Sequence, residues 1–203
     1  MGGYEYIIAS LPAISKDWRF ADGKSLEGYV SWIKTQMPSR DAKAVDTLLD
    51  SLKEECMTPE FYETALKDKN RFIREYLAFD LGLRNTQARF VNKVFGRPES
   101  DDTINLEGVP AFEEADKVTQ VLSGHDILVR EKGLDSIRWD KISDLTTFNY
   151  FDLDAVLGII AKMSIVERWR ALDPESGAEM FQRLIAETRG TYGGVNYTEP
   201  AKE

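Results

Sequence analysis

The sequence predicts an all-α or nearly all-α protein, built as a multi-helix bundle. Apolar residues recur at helical spacing in most segments, above all in the long stretches 71–96 and 152–172. Regular alternation of apolar and polar residues, the pattern of a half-buried strand, is almost lacking. Proline and glycine also stand where helices would begin and end, as at Pro59 and Gly96. These observations favour helices that pack against helices.

The first half is expected to contain one short extended segment followed by helices. Residues 4–10 are aromatic and β-branched, which predicts a short strand or an extended segment. Ser25, Ser39 and Thr58 are placed to cap the three helices that follow them. The helix after Thr58 leads into the long helix 71–96, which Gly96 ends.

An acidic, polar stretch divides the chain into two predicted halves. Residues 99–110 form an acidic linker between an N-terminal helical half, 1–98, and a C-terminal helical half, 111–190. The second half has helical patterns at 111–122, 127–139 and 152–172, and a last helix after Pro174. Residues 191–203 are rich in glycine and polar residues, and they predict a flexible tail.

Composition excludes several classes of function. The 203 residues carry a formal net charge of -9, which argues against nucleic acid and anionic lipid as direct partners. Cys56 is the only cysteine, so no internal disulfide can form, and a reducing cytoplasm fits best. The sequence contains no long uncharged apolar run, so no membrane span is predicted. The first residues do not resemble a signal peptide.

No pattern in the sequence is typical of a catalytic or metal site. His125, the only histidine, precedes Asp126 and would suit a general base. No nucleophile has a recognisable setting, so a turn or a helix cap is the favoured interpretation. The carboxylate pairs at 101–102 and 152–154 lack the glycine and the closing glutamate of a calcium loop. We therefore expect no enzyme activity, cofactor, metal or small-molecule substrate.

The long helix 71–96 has charged residues in its predicted buried face. The apolar members of that face are expected to be Ile73, Leu77, Val91 and Val94. In the centre, the same stripe passes through Asp80, Arg84 and Gln87. Burying an unpaired charge costs several kcal/mol, so these residues should pair with each other, with Asn85 or with a neighbouring element. Two interpretations remain open: a simple ion pair along the helix, or a buried network that fixes helix register.

A second charged segment lies in the helical stretch 152–172. Trp169 is expected to belong to the core, and Arg168 is expected to reach a carboxylate on a neighbouring helix. The predicted structural polar cluster therefore comprises Asp80, Arg84, Asn85, Glu167 and Arg168.

Three stretches give the chain a family resemblance. They are residues 6–12, residues 75–85, which carry an acid-x-x-x-x-Asn pattern in Asp80 and Asn85, and residues 150–183. In these stretches the chain resembles an uncharacterised bacterial family encoded beside V/A-type ATPase genes. That family is similar to the C (or d) subunit of those machines.

The resemblance implies a non-enzymatic role as an adapter between the membrane rotor ring and the central stalk. The protein would be cytoplasmic and held at the inner membrane through the ATPase, with ring and stalk proteins as partners. The C (or d) subunit is a helical funnel of pseudo-repeats, and this chain is short for three of them. Partner-binding residues are expected among Trp18, Phe20 and Trp32, which cluster near a loop.

Two other functions compete with the adapter. One is a general helical protein–protein interaction module with no tie to the ATPase. The other is an enzyme that uses His125, Asp126 and nearby carboxylates.

Overall fold

A computed structural model describes residues 3–14 and 25–171, and this part of the chain is entirely helical between its turns and loops. The helices are α1 (Tyr4–Ala9), α2 (Leu26–Gln36), α3 (Ser39–Asp50), α4 (Pro59–Ala65), α5 (Arg71–Val94), α6 (Ala115–Leu122), α7 (Ile127–Thr146) and α8 (Leu153–Ala171), with a short 3-10 turn at Glu54–Cys56. The predicted all-α class is confirmed. The last predicted helix, the tail, Trp18 and Phe20 lie outside the described residues.

The first segment is helical, since residues 4–9 form helix α1, so the prediction of a short strand or an extended segment is wrong. Its β-branched residues favour extended structure locally, but such preferences yield readily to packing. Ile7 is completely buried, and the Tyr4 hydroxyl donates a 2.6 Å hydrogen bond to Asp41 of α3. The tertiary contacts of α1 with α3 and α8 therefore decide its conformation.

Helix ends follow the predicted capping residues with one exception. The side chains of Ser25 and Thr58 accept hydrogen bonds from the backbone N–H groups of residues 28 and 61. Gly96 has a φ of 65°, a conformation that glycine adopts without strain at the end of a helix. The exception is α3, where Pro38 holds the cap position and Ser39 is the first helical residue.

Helix α8 lies at the centre of the bundle and is in contact with α1, α2, α3, α5 and α7. Its buried residues lie on several sides of the helix; they include Val156, Leu157, Ile160, Ala161, Met163 and Val166. A helix with neighbours on most sides needs such a broad apolar surface. Buried residues from both predicted halves of the chain belong to one hydrophobic cluster.

In the last turns of α5, the residues that are buried are not the ones that the sequence predicted. Val91 and Val94 are exposed, whereas Asn92 is fully buried. The Asn92 amide donates a 2.6 Å hydrogen bond to the backbone oxygen of Asp101, so the following loop covers this side of the helix. The prediction that the two valines are buried is therefore wrong.

Helices α5 and α7 run antiparallel, and so do α7 and α8. Arg71 at the start of α5 donates a hydrogen bond to the Leu145 carbonyl at the end of α7. Arg168 near the end of α8 contacts Glu131 near the start of α7. None of the helices within residues 3–14 and 25–171 is both long enough and apolar enough to cross a membrane.

We predict that Gly82→Ala destabilises the protein although alanine favours a helix. A Cβ atom at residue 82 would lie 2.5 Å from two ring atoms of Phe112. Overpacking of this kind costs about 1–3 kcal/mol, against a gain in helix propensity of about 1 kcal/mol. Urea-induced unfolding, followed by circular dichroism, should show a lower midpoint.

Gly28→Ala in α2 is the matched control, because the nearest atom to its added Cβ is the Ser25 oxygen at 3.5 Å. Its midpoint should be unchanged or higher. A Gly82→Ala midpoint as high as that of the control would contradict the close packing of Phe112.

Candidate functional site

The Asp80 carboxylate of α5 is buried and accepts hydrogen bonds from side chains of two helices, α4 and α5. Its Oδ2 atom accepts hydrogen bonds from the Tyr62 hydroxyl of α4 at 3.0 Å and from Arg84 Nε at 2.6 Å. Residues 80 and 84 are one helical turn apart, so the intrahelical ion pair is present. The contact with Tyr62 makes that pair part of a network between helices.

Arg84 extends this network to the end of α3 and the loop after it. Its Nη2 atom donates to the backbone oxygen of Ser51 at 3.2 Å, and Nη1 lies 2.7 Å from the Met57 sulfur. Burial alone would lower the pKa of this guanidinium, but the adjacent Asp80 carboxylate raises the pKa above its usual value. Arg84 is therefore a permanent cation that joins α3, α4 and α5.

Asn85 belongs to a different part of the structure. Its amide nitrogen donates to the Ile104 carbonyl at 2.8 Å, and its amide oxygen accepts from the Ile104 N–H at 2.9 Å. This two-way bond mimics a backbone pairing and holds the predicted linker against α5. Asn85 does not join Asp80 and Arg84, although the three residues are neighbours in the sequence.

A second buried carboxylate, Asp135 of α7, was missed by sequence reasoning. Its side chain is 2% exposed. It accepts hydrogen bonds from Arg138 at 2.9 Å, from the Trp169 indole at 2.7 Å and from Arg168. The sequence does contain a signal, because residue 135 shares a helix face with the buried Trp139 and Ile142.

Residues 167–170 are divided between the core and the surface. Arg168 bridges Asp135 and Glu131 of α7, so it does reach carboxylates on a neighbouring helix. Trp169 is half-buried and packs against the core. The Glu167 Oε2 atom lies 3.6 Å from Arg170 Nη1, about one turn away on the same helix.

A cleft of about 470 Å³ lies between the network around Asp80 and the network around Asp135. The charged residues in its wall are Asp80, Arg84, Asp135, Arg138, Glu167 and Arg168. Three acids and three arginines balance, so the cleft has no excess charge with which to attract an ionic ligand. Donors from the protein itself already occupy the carboxylates of Asp80 and Asp135.

Three other residues that the sequence singled out do not line this cleft: His125, Asp126 and Trp32. His125 is exposed in the turn before α7, and the Asp126 side chain caps that helix at 3.1 Å from the Val129 N–H. Within the described residues, no group of three or more His, Cys, Asp or Glu side chains could hold a metal ion. Trp32 is half-buried, and its ring centroid lies 6.0 Å from that of Tyr6.

We predict that Asp135→Ala destabilises the protein strongly. The change leaves two guanidinium groups and an indole N–H without their common acceptor. Breaking a buried ion pair costs about 3–5 kcal/mol, and we expect about 3 kcal/mol because Arg168 stays partly in water. Chemical denaturation should report this loss as a lower unfolding midpoint.

Asp116→Ala is the control, because Asp116 is an exposed acid in the first turn of α6. We expect it to change stability by about 0.5 kcal/mol or less. If both variants unfolded at the same midpoint, Asp135 would not be the acceptor that joins α7 to α8.

Tyr62→Phe should reduce the loss of stability at high pH. Burial, with help from the Asp80 carboxylate, raises the pKa of the fully buried Tyr62 hydroxyl far above its usual value. Above about pH 10 the unfolded chain releases this proton and the folded chain keeps it, so the free energy of unfolding falls as pH rises. The phenylalanine variant lacks this contribution.

The measurement is the free energy of unfolding of both proteins at several pH values from neutral to strongly alkaline. The difference between wild type and variant should shrink as pH rises through the unfolded-state pKa of tyrosine. A constant difference would show that Tyr62 ionises equally well in the folded protein.

Comparisons with known proteins identify one family. A family model described as "Protein of unknown function (DUF2764)" matches residues 21–190. Searches of curated proteins and of solved structures return no match. Since the match covers more than half of the chain, the protein belongs to the DUF2764 family.

Proposed function

We propose that this protein is a non-catalytic accessory component of a V/A-type ATPase, acting as an adapter between the membrane rotor ring and the central stalk. Its place would be at the inner membrane, held there through the complex. The resemblance of residues 6–12, 75–85 and 150–183 to proteins encoded beside such ATPases supports this role. The helical fold and its internally paired charges are compatible with a rigid connecting part.

Apolar surfaces at both ends of the bundle are the observation that carries the proposal. At one end, three successive residues in the first turn of α7, Ile127, Leu128 and Val129, are all exposed. Because α5 and α7 are antiparallel, the exposed Val94 and Phe95 at the end of α5 lie at this same end. We call residues 127–129 the α7 tip.

The opposite end carries a second exposed set. Residues 147–152 connect α7 to α8, and we call this segment the aromatic loop. Phe148, Tyr150 and Phe151 in this loop are 88%, 68% and 58% exposed. Clusters of exposed apolar side chains are typical of interaction surfaces. A part that joins two others needs one such surface for each.

The alternative function is a general helical interaction module unrelated to the ATPase. The same two surfaces support it, since exposed apolar residues alone do not specify which proteins they bind.

We expect a tagged protein, recovered from its native cells, to bring ring and stalk proteins of the ATPase with it. Ile127→Ser with Leu128→Ser should lose one of the two partners, and Phe148→Ser should lose the other. These side chains are exposed, so the variants should fold normally. Mass spectrometry of the recovered proteins, with circular dichroism of each variant, makes the measurement.

Glu63→Gln on the exposed side of α4 is the control and should recover both partners. Recovery of unrelated proteins, together with normal ATPase assembly in cells that lack this protein, would reject the adapter and favour the general interaction module.

A further inference from the structure

We infer that the aromatic loop is a docking site for a lysine- or arginine-rich apolar segment of a partner protein. The inference rests on the proposed function only for the identity of the protein that carries this segment. The chemistry of the site follows from the loop itself.

The loop is held in one conformation, although its aromatic rings are exposed. The Asn149 N–H donates to the Thr146 carbonyl at 3.0 Å, and the Asn149 amide donates to Asp152 at 2.5 Å. Arg71 of α5 donates to the Asn149 side chain at 3.0 Å and to the Leu145 carbonyl at 2.8 Å. Binding would therefore cost little ordering of the backbone.

Exposing these rings to water is unfavourable in the free protein. Burying a large apolar side chain is worth about 1.5–3 kcal/mol, and the 88% exposed Phe148 makes almost none of this gain. Aromatic side chains are also the residues that most often dominate binding energy in protein interfaces. A partner that covers Phe148, Tyr150 and Phe151 would recover this free energy.

The loop and the residues next to it in the sequence are acidic, and this charge favours a basic partner. Residues 144–154 include Asp144, Asp152 and Asp154, and they contain no lysine or arginine. Arg71 reaches this region, but it is shared between Asp154 at 3.3 Å and Glu75 at 3.2 Å. A basic segment would be attracted by the aspartates, and its cations would also interact favourably with the aromatic faces.

Charge argues against anionic lipid as the occupant of this surface, but it does not exclude a second copy of the chain. Anionic lipid would be repelled by the aspartates. At the other end of the bundle, Lys93 and Arg97 accompany the exposed Val94 and Phe95, and Arg97 is paired with Asp102 at 3.3 Å. A second copy of the chain is therefore a competitor that the experiment must distinguish from a separate partner.

The test uses the full-length protein and a fluorescein-labelled amphipathic peptide of leucine and lysine, titrated by fluorescence anisotropy. The wild type should bind this peptide saturably, and a matched peptide of leucine and glutamate should not bind. Phe148→Ser with Phe151→Ser should weaken binding at least about tenfold. Asp144→Asn should weaken it less and should reduce its salt dependence, since Asp144 is exposed and does not cap a helix.

Leu52→Ser is the matched control, because Leu52 is an exposed apolar residue outside both surfaces, and this variant should bind like the wild type. A scrambled lysine–leucine peptide without an apolar face should bind weakly, which separates docking from attraction by the net charge of the chain.

Three results would overturn the inference. One is equal binding of the lysine peptide by the aromatic-loop variant and the wild type. Another is loop-dependent sedimentation of the protein with phosphatidylserine vesicles, which would assign the loop to membrane. The third is self-association of the wild type that the loop variant lacks, which would assign it to a second copy.

The outcome is separable from that of the proposed function. Failure of the peptide to bind, with ATPase proteins still recovered from cells, rejects this docking chemistry and leaves the adapter role standing. Peptide binding without recovery of ATPase proteins rejects the adapter role and leaves the docking site standing.

Discussion

Two buried carboxylates, Asp80 and Asp135, constrain how the helices of this protein can pack. Each is held by donors from at least two helices, and an unpaired buried charge would cost several kcal/mol. Sliding α4 along α5, or α8 along α7, would separate an acid from its partners. Apolar contacts tolerate small shifts more readily than ion pairs with fixed geometry do. These acids therefore specify which turns of the helices lie side by side.

The charged interior and the apolar exterior of this bundle have different roles. Arginine and acid balance around the central cleft, where donors from the protein itself occupy the carboxylates of Asp80 and Asp135. Clusters of exposed apolar groups lie at the ends, at the α7 tip and in the aromatic loop. Paired internal charges and apolar ends are compatible with the proposed adapter role.

Sequence patterns predicted the helices and the pairing of Asp80, because local spacing determines both. They did not predict α1, where burial of Ile7 outweighs a local preference for extended structure. Periodicity showed that Val91 and Val94 share a face, but not that a later loop would cover Asn92 instead. Asp135 was missed because the many charges of α7 conceal its buried face. Which side of a helix is covered depends on distant residues, and a local pattern does not contain them.

The central position of α8 has a consequence for synthesis of the chain. Helices α1, α2 and α3 pack against α8, which follows them by about a hundred residues or more in the sequence. On the ribosome they emerge well before the surface that buries their apolar faces exists. Native contacts between such distant residues slow folding, and exposed apolar faces attract other chains in the meantime. The apolar faces of these early helices therefore stay uncovered by α8 until almost the whole described part of the chain has been made.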